Sequence, residues 1–532
     1  MNLVSLLAEG ARIYPDRPAL VDVFRGEDRV VSFSELHQRV SGGANALQEM
    51  GLTRGQVVLV FHPVSIELYE ILLAAFHAGL QVMLADPSAG RGFLALCCQR
   101  MRPDAFFGSL KAQCLRLSVG EMREIPISIC PRTWFPGVKV WRTYQGDHAP
   151  AEVGDDAPAL VTFTSGSTGI PKAAVRTHGF LLAQHRTLSK ALSFEPGEVD
   201  LITLPVFVLA NLASGLTSVL AATDLAKPGS PDVAAIKRQC GKFQVTRCSA
   251  SPAFFEALLD AQVPLPMFQK VYTGGAPVFP DLLRRLGEAL PGACVNSVYG
   301  STEAEPIAHF PASEANDETA SLTLRGGGLC SGRPVNEIEL KIIADQWGFS
   351  IEDGEMDFLS NGEAGEIIVS GEHVLRGYLD GIGDGETKIH SAGRVWHRTG
   401  DAGWVDARGR VWLLGRCAEK MPAFPAAEGL PRDAPRYPFA IECVLREIFP
   451  GIRMAALQWE NQRTLVVGKK CENSDAAAIN EHADRFGIQR VIYLESIPLD
   501  RRHQAKIDYP ALREILNDSQ KNPAWNGSTR GD

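Results

Sequence analysis

Apolar positions along this chain recur with two periods, and the periods alternate. Residues 32–51, SFSELHQRVSGGANALQEMG, place Leu36, Val40, Ala44 and Leu47 on one helical face; Ser32 and Glu35 supply a capping box and Gly51 a stop. QVVLVFH then reads as a buried strand, SIELYEILLAAFHAG as a helix and LQVMLAD as another strand. Farther on, GEVDLITLP, VTRCSASP and KVYTGGAP read as strands, the last ending in a Gly-Gly turn, while PDVAAIKRQCGKF and AFFEALLDA read as helices. Strands alternating with helices predict parallel sheets covered by helices, with ligands beyond the carboxyl ends of strands.

From about residue 325 the texture changes to short strands with Gly-rich turns, EIELKII, GEIIVSG and WVDARGRVWLLG, which predicts a smaller β-rich subdomain. After Arg416 the stretch CAEKMPAFPAAEGLPRDAPRYPFA is dense in Pro and Ala and reads as a linker plus an irregular loop. A last small α/β unit runs to about Leu516, and the polar tail NDSQKNPAWNGSTRGD is expected to be disordered. No internal repeat is found.

A chain of 532 residues calls for about three or four structural units. Its net charge of −9 offers no basic footprint, which argues against nucleic acid as the main partner. The N-terminal MNLVSLLAEGARIYP is interrupted by Glu9 and Arg12 and reads as an amphipathic helix, not a signal peptide; no run is long and apolar enough to span a membrane. A greasy substrate would be met from solution or by peripheral contact with a membrane. The 11 cysteines lack any C-x-x-C pair and read as reduced structural thiols of a cytoplasmic protein.

TFTSGSTGIPK, residues 162–172, concentrates small donors and one cation in a single loop. Gly166 and Gly169 let the backbone approach an anion, Thr164, Ser165, Ser167 and Thr168 add hydroxyls, and Lys172 adds a point charge suited to phosphate. The alternative is a polar surface turn. The spacing does not match the G-x-x-x-x-G-K-[ST] loop of other nucleotide hydrolases, and Ser165 stands where a G-x-S-x-G serine hydrolase would need glycine.

Three further stretches agree with this loop in order and spacing: VYGSTEAEP at 298–306, RTGDAGWVDARGRVWLLGR at 398–416 and LDRRHQAKIDYPALR at 499–513. Together the four resemble the adenylate-forming superfamily of acyl-CoA synthetases, peptide-synthetase adenylation domains and luciferases. The resemblance implies an α/β fold: a large N-terminal domain of two helix-covered sheets plus a β-rich subdomain (1–415), a small mobile α/β C-terminal domain (416–516) and a tail (517–532). It also implies ATP and Mg²⁺ as cofactors. Lys172 and its loop would hold the β and γ phosphates, Glu303 the Mg²⁺, and Thr302 the α-phosphate region. Tyr299, with Gly300 and Ser301, would lie against adenine, flanked by Gly274, Gly275 and Ala276. Asp401 would accept the ribose hydroxyls with Arg416 nearby, and Lys506 would bridge carboxylate and α-phosphate. All key residues are present, so a non-catalytic nucleotide-binding scaffold is disfavoured. His178 reads more readily as structural, whereas Glu305 and His309 could line the acyl site or simply lie on a loop.

The chain also departs from the CoA ligases. Val208 replaces a histidine within LPVFVLANLASG, whose Val206, Phe207, Val208, Leu209 and Leu212 suit an alkyl pocket or a buried helix. Ala418 occupies the hinge position, the following loop is long and proline-rich, and Lys506 follows alanine. LPVFVLANLASG, YGSTEAEPIAH and AKIDYPAL look like the β-lactone synthetases of bacterial long-chain olefin biosynthesis. That branch implies adenylation of a long-chain β-hydroxy acid, ring closure by its own hydroxyl, and other olefin-pathway enzymes as partners. The alternative is a medium- or long-chain acyl-CoA synthetase or acyl-AMP ligase.

Overall fold

The computed structural model describes residues 1–520 apart from 87–88, 132–134, 165–170, 226, 267, 352–355, 469–472 and 501–505. The predicted helices form where the spacing places them: Phe33–Glu49 starts at Ser32, whose Oγ accepts from Glu35 N at 3.2 Å. Ile66–His77 is buried at every position, as a helix apolar on most of its surface must be. Its two carboxylates are answered by Arg29, 2.7 Å from Glu67, and by Arg39, 2.6 Å from Glu70.

Those two helices lie between two sheets and fill the largest core with side chains from both, such as Val58, Val82 and Leu160 on one side and Leu20, Ile202 and Leu220 on the other. The first sheet has seven strands, in the order Lys139–Trp141, Ile127–Pro131, Ala105–Gly108, Val57–Phe61, Gln81–Leu84, Pro158–Thr164, Lys172–Thr177. All neighbours are parallel except the last two, which pair antiparallel with Thr164 opposite Lys172. The loop predicted to wrap phosphate therefore joins the two strands of an edge hairpin.

Among the described residues the second sheet has fourteen strands. Parallel strands Thr217–Leu220, Val199–Ile202, Arg247–Ala250, Lys270–Gly274 and Cys294–Ser301 lead into the antiparallel strands Ala304–Pro311, Leu329–Pro334, Val411–Arg416, Arg394–Val405, Gly365–Gly371 and Ile338–Ile343. Antiparallel pairing thus begins at the hairpin of Cys294–Ser301 and Ala304–Pro311, ahead of the change of texture near residue 325, and the β-rich part continues the same sheet. Leu329–Pro334 makes the join, pairing with Ala304–Pro311 on one edge and Val411–Arg416 on the other.

A small unit follows, with strand Gln462–Gly468 antiparallel to Met454–Trp459 and parallel to Arg490–Leu494. Helices Pro438–Ile448 and Asn473–Asp484 line one face of it, and Tyr509–Gln520 lines the other. The helix continues past Leu516, and Asn517 accepts from Trp459 Nε1 at 3.1 Å.

The proline-rich segment after Arg416 is irregular, as expected, and mostly exposed over 422–429, but both of its ends are packed down. Cys417, Met421, Ala434 and Tyr437 are buried, and the Tyr437 hydroxyl donates to Asp345 at 2.9 Å. Cys417, Ala434, Tyr437 and Ala440 belong to the same core as Trp404, Trp412 and Leu414 of the large sheet. Helix Pro438–Ile448 turns its other flank, Ile441, Val444 and Leu445, into the core of the small unit. Among the described residues no helix is long and apolar enough to cross a membrane, and every described cysteine is free.

Candidate functional site

The site is built around the hairpin formed by Cys294–Ser301 and Ala304–Pro311. At its tip Ser301 Oγ accepts from Glu303 N at 3.2 Å. Thr302 O accepts from Arg176 Nη2 at 2.9 Å, and the same guanidinium donates to Thr162 Oγ1 at 3.0 Å. One arginine of the seven-stranded sheet thereby ties the tip to the hairpin that carries Lys172. The structure engages the backbone of Thr302 here, while its half-buried side chain lies at the tip beside Glu303.

Glu303 Oε1 accepts from the Tyr378 hydroxyl at 2.7 Å, and Glu303 O accepts from Leu375 N at 2.7 Å. Burial resists the charge on this carboxyl, but His397, the Tyr378 hydroxyl and Lys388 outweigh it and hold the group below its ordinary range. His397 is itself pushed down to about 3 by burial, with Lys388 adding to the effect. Near neutral pH the Tyr378 hydroxyl and the Lys388 ammonium therefore carry the stabilisation. Burial pushes Lys388 down to about 8 against the charges of Glu303 and Asp384. Its ammonium donates to Leu375 O and lies 3.2 Å from His397 Nδ1.

Asp401 sits where Arg394–Val405 pairs with Val411–Arg416, directly opposite Arg416 in the register. Its Oδ1 is 2.9 Å from Arg416 Nη1 and its Oδ2 accepts from the Tyr299 hydroxyl at 2.7 Å. Burial, reinforced by Asp401, pushes the Tyr299 phenol well above its ordinary range, so it stays a donor. Each carboxylate oxygen can accept a second hydrogen bond, which leaves Asp401 capacity for a diol.

The Gly-Gly turn after Lys270–Gly274 runs beside Tyr299. A Cβ on Gly274 would lie 2.6 Å from Val298 O, and Gly275 has φ +79°, so both positions require glycine; Ala276 follows, half-buried. Gly300 is also tight, with a Cβ 3.0 Å from Ala304 O.

Lys172 begins its strand with its ammonium 2.8 Å from Glu386 Oε2. Ser165, Gly166, Ser167, Thr168 and Gly169 lie outside the described residues, as does the side chain of Thr164. Lys506 is exposed on the small unit, where its N–H donates to Asp500 Oδ1 at 2.9 Å and its carbonyl accepts from Asp500 N at 2.9 Å. Tyr299, Asp401 and Arg416 thus form one cluster and Glu303 with Tyr378 a second at the tip of the same hairpin, Arg176 ties that tip to the hairpin that carries Lys172, and Lys506 lies on the separate unit.

The positions left open in the sequence resolve unevenly. His178 is buried, accepts from Leu3 N at 3.2 Å and is pushed down to about 4 by burial, which makes it structural. Glu305 is half-buried beside Arg176 and pushed up to about 7 by burial. Val298 faces His309 across the hairpin, and burial lowers the His309 ring. Phe207, Val208 and Leu212 are buried in the inter-sheet core, while Leu209 is half-buried and Val206 exposed. Nothing in the sequence marks Tyr378, Glu386, Lys388 and His397 as site residues. They carry no motif and reach Glu303 and Lys172 only through tertiary packing.

A family profile described as AMP-binding enzyme matches residues 7–379. The chain is 31% identical to an olefin beta-lactone synthetase of Xanthomonas campestris pv. campestris, covering 95% of this chain and 96% of the relative. It is 30% identical to an olefin beta-lactone synthetase of Stenotrophomonas maltophilia, with the same 95% and 96% coverage. The fold is similar to that of O-succinylbenzoate coenzyme A synthetase of Bacillus subtilis, solved in complex with ATP and magnesium, with TM-score 0.74 and 20% identity over 96% of this chain and 99% of that one.

Proposed function

This chain belongs to the AMP-binding enzyme family, and we propose that the acid it activates with ATP is a long-chain β-hydroxy acid, which it then closes to a β-lactone. The observation that carries this reading is the likeness, over nearly the whole length of both chains, to two olefin beta-lactone synthetases. A departure supports it: at the position of the hinge used by CoA ligases stands Ala418, exposed, followed by a long proline-rich segment.

In the first step a carboxylate oxygen of the substrate attacks the α-phosphorus of ATP and pyrophosphate leaves. Both reactants are anionic, so the barrier falls only if cations and donors meet the charge as it gathers. Lys172 is proposed to take the β and γ phosphates and Lys506 to lie between carboxylate and α-phosphate. Asp401 is proposed to hold the ribose, with Arg416 and the Tyr299 hydroxyl fixing its carboxylate, while the Gly274–Ala276 turn flanks adenine.

Glu303 suits a hard cation: its carboxylate is held ionised in a half-buried position. Among the described residues no cluster of three or more His, Cys, Asp and Glu side chains could hold a metal ion by itself, which fits an ion shared between one carboxylate and phosphate oxygens. Mg²⁺ held there would neutralise phosphate charge. Tyr378 and Lys388 would keep the Glu303 carboxylate ionised and oriented for it.

In the second step the β-hydroxyl oxygen attacks the activated carbonyl carbon, AMP leaves, and the hydroxyl proton is lost. The net reaction converts β-hydroxy acid and ATP to β-lactone, AMP and pyrophosphate. The site must hold hydroxyl and carbonyl together, because even an intramolecular attack needs alignment. Other olefin-pathway enzymes are the partners that the resemblance implies.

Mass spectrometry of products from enzyme, ATP, Mg²⁺ and a long-chain β-hydroxy acid, with and without CoA, tests this directly. A product lighter than the acid by one water, formed without CoA, supports ring closure. An acyl-CoA formed only with CoA present assigns the protein to the acyl-CoA synthetases instead.

A further inference from the structure

The segment from Val374 to Lys388 straps the two sheets together. It bridges to Ala304 of the large sheet through Val374 and to Ala174 of the seven-stranded sheet through Tyr378. Arg100 Nη2 donates to Leu379 O at 2.9 Å, and Thr387 Oγ1 donates to Gly383 O at 2.7 Å, closing the turn that presents Glu386. Gly383, at φ +103°, lies so close to the Lys172 stem that a Cβ there would stand 2.8 Å from Lys172 Cδ. The turn is therefore shaped around Lys172, and Glu386 Oε2 ends 2.8 Å from its ammonium.

We propose that Glu386 is an internal counter-anion for Lys172, which the polyphosphate of ATP displaces and which retakes the ammonium as pyrophosphate leaves. The inference rests on Lys172 being the cation for nucleotide phosphate. An ammonium has three donors, and among the described residues Glu386 is its one hydrogen-bond acceptor. The two partners differ in freedom: the Lys172 side chain is 11% exposed, that of Glu386 41%. A cation so enclosed needs a neighbouring anion, whereas the carboxylate can turn to water at low cost. A multiply charged polyphosphate wins such an exchange, while a singly bound anion does not, so the pair also discriminates against stray small anions. Release of Glu386 leaves the strap anchored, because Tyr378 remains on Glu303 and Leu379 O on Arg100.

Calorimetric titration of magnesium pyrophosphate into the full chain tests the proposal, with folding of each variant checked by circular dichroism. Glu386→Gln removes the competing charge and should bind pyrophosphate about two- to fivefold more tightly, the range expected for an ion pair of this exposure. Glu386→Asp, which keeps the charge, should stay within about twofold of wild type. Glu372→Gln makes the same change in net charge at an exposed pair 2.9 Å from Arg186 and should have no effect. Unchanged or weaker binding by Glu386→Gln, or equal tightening by Glu372→Gln, overturns the proposal. Lys172→Ala separates the two readings. If it leaves pyrophosphate binding intact, the phosphate assignment itself fails; if it abolishes binding while Glu386→Gln does not tighten it, only the counter-anion role fails.

Discussion

Glu442 offers a quantitative test of the small unit. The residue is 8% exposed, and its Oε1 accepts from the Tyr509 hydroxyl at 2.6 Å and from Ala456 N at 2.9 Å. Burial pushes its carboxyl from an ordinary 4.5 up to about 7, against the pull of those hydrogen bonds. Between these two pH values the folded chain binds more protons than the unfolded one, so stability falls as pH rises through that window. At about 1.4 kcal/mol per pH unit, the ionised group weakens the fold by about 3 kcal/mol at pH 8. Glu442→Gln keeps an oxygen for Tyr509 and Ala456 and cannot ionise, but its extra amide N–H groups cost about 1 kcal/mol if unpaired. At pH 5, already half a unit above the unfolded-state value, wild type has lost about 0.8 kcal/mol, so the variant should be nearly as stable as wild type there and about 2 kcal/mol more stable at pH 8. Urea unfolding at both pH values, with hydrogen exchange in Met454–Trp459 to localise the effect, reads this divergence. A difference that is the same at pH 5 and pH 8 refutes the reasoning.

Three other substitutions address the chemistry and the join between units. Lys506→Ala should abolish pyrophosphate–ATP exchange with the circular dichroism spectrum intact; exchange at the wild-type rate would remove Lys506 from the reaction. Asp401→Ala takes the acceptor from Tyr299 and the partner from Arg416, and should raise the ATP requirement about tenfold or more, since each charged hydrogen bond is worth about 1.5–3 kcal/mol. An unchanged KM for ATP would contradict ribose binding. Tyr437→Ala should destabilise the protein by about 3–5 kcal/mol, because a ring 1% exposed leaves a cavity in the core that holds Trp412 and removes one of the donors to Asp345, which keeps Lys420 at 3.1 Å. A melting temperature within a degree of wild type would show that the proline-rich segment does not hold the units together.

The sequence was most legible where structure is local. Helix Phe33–Glu49 and strand Val57–Phe61 follow from spacing and capping that a few neighbouring residues decide. The positions of Tyr299, Glu303, Asp401 and Lys172 could be marked because each lies in a short, unusual motif. What the motifs could not reveal is the company those residues keep. Glu386 meets Lys172 from 214 positions away and Tyr378 meets Glu303 from 75, in a stretch that reads as an ordinary Gly-rich loop. The segment after Arg416 misled for the opposite reason: its Pro and Ala content resembles a linker, whereas Met421, Ala434 and Tyr437 are buried by tertiary packing that composition does not encode.

Helix Pro438–Ile448 has one flank in each of two cores. Melting of either core strips a face from it and exposes apolar surface that the other core still needs covered. The two units are therefore coupled in their unfolding: a calorimetric scan should approach a single endotherm, and heat damage to the small unit should spread into the core around Trp404 and Trp412.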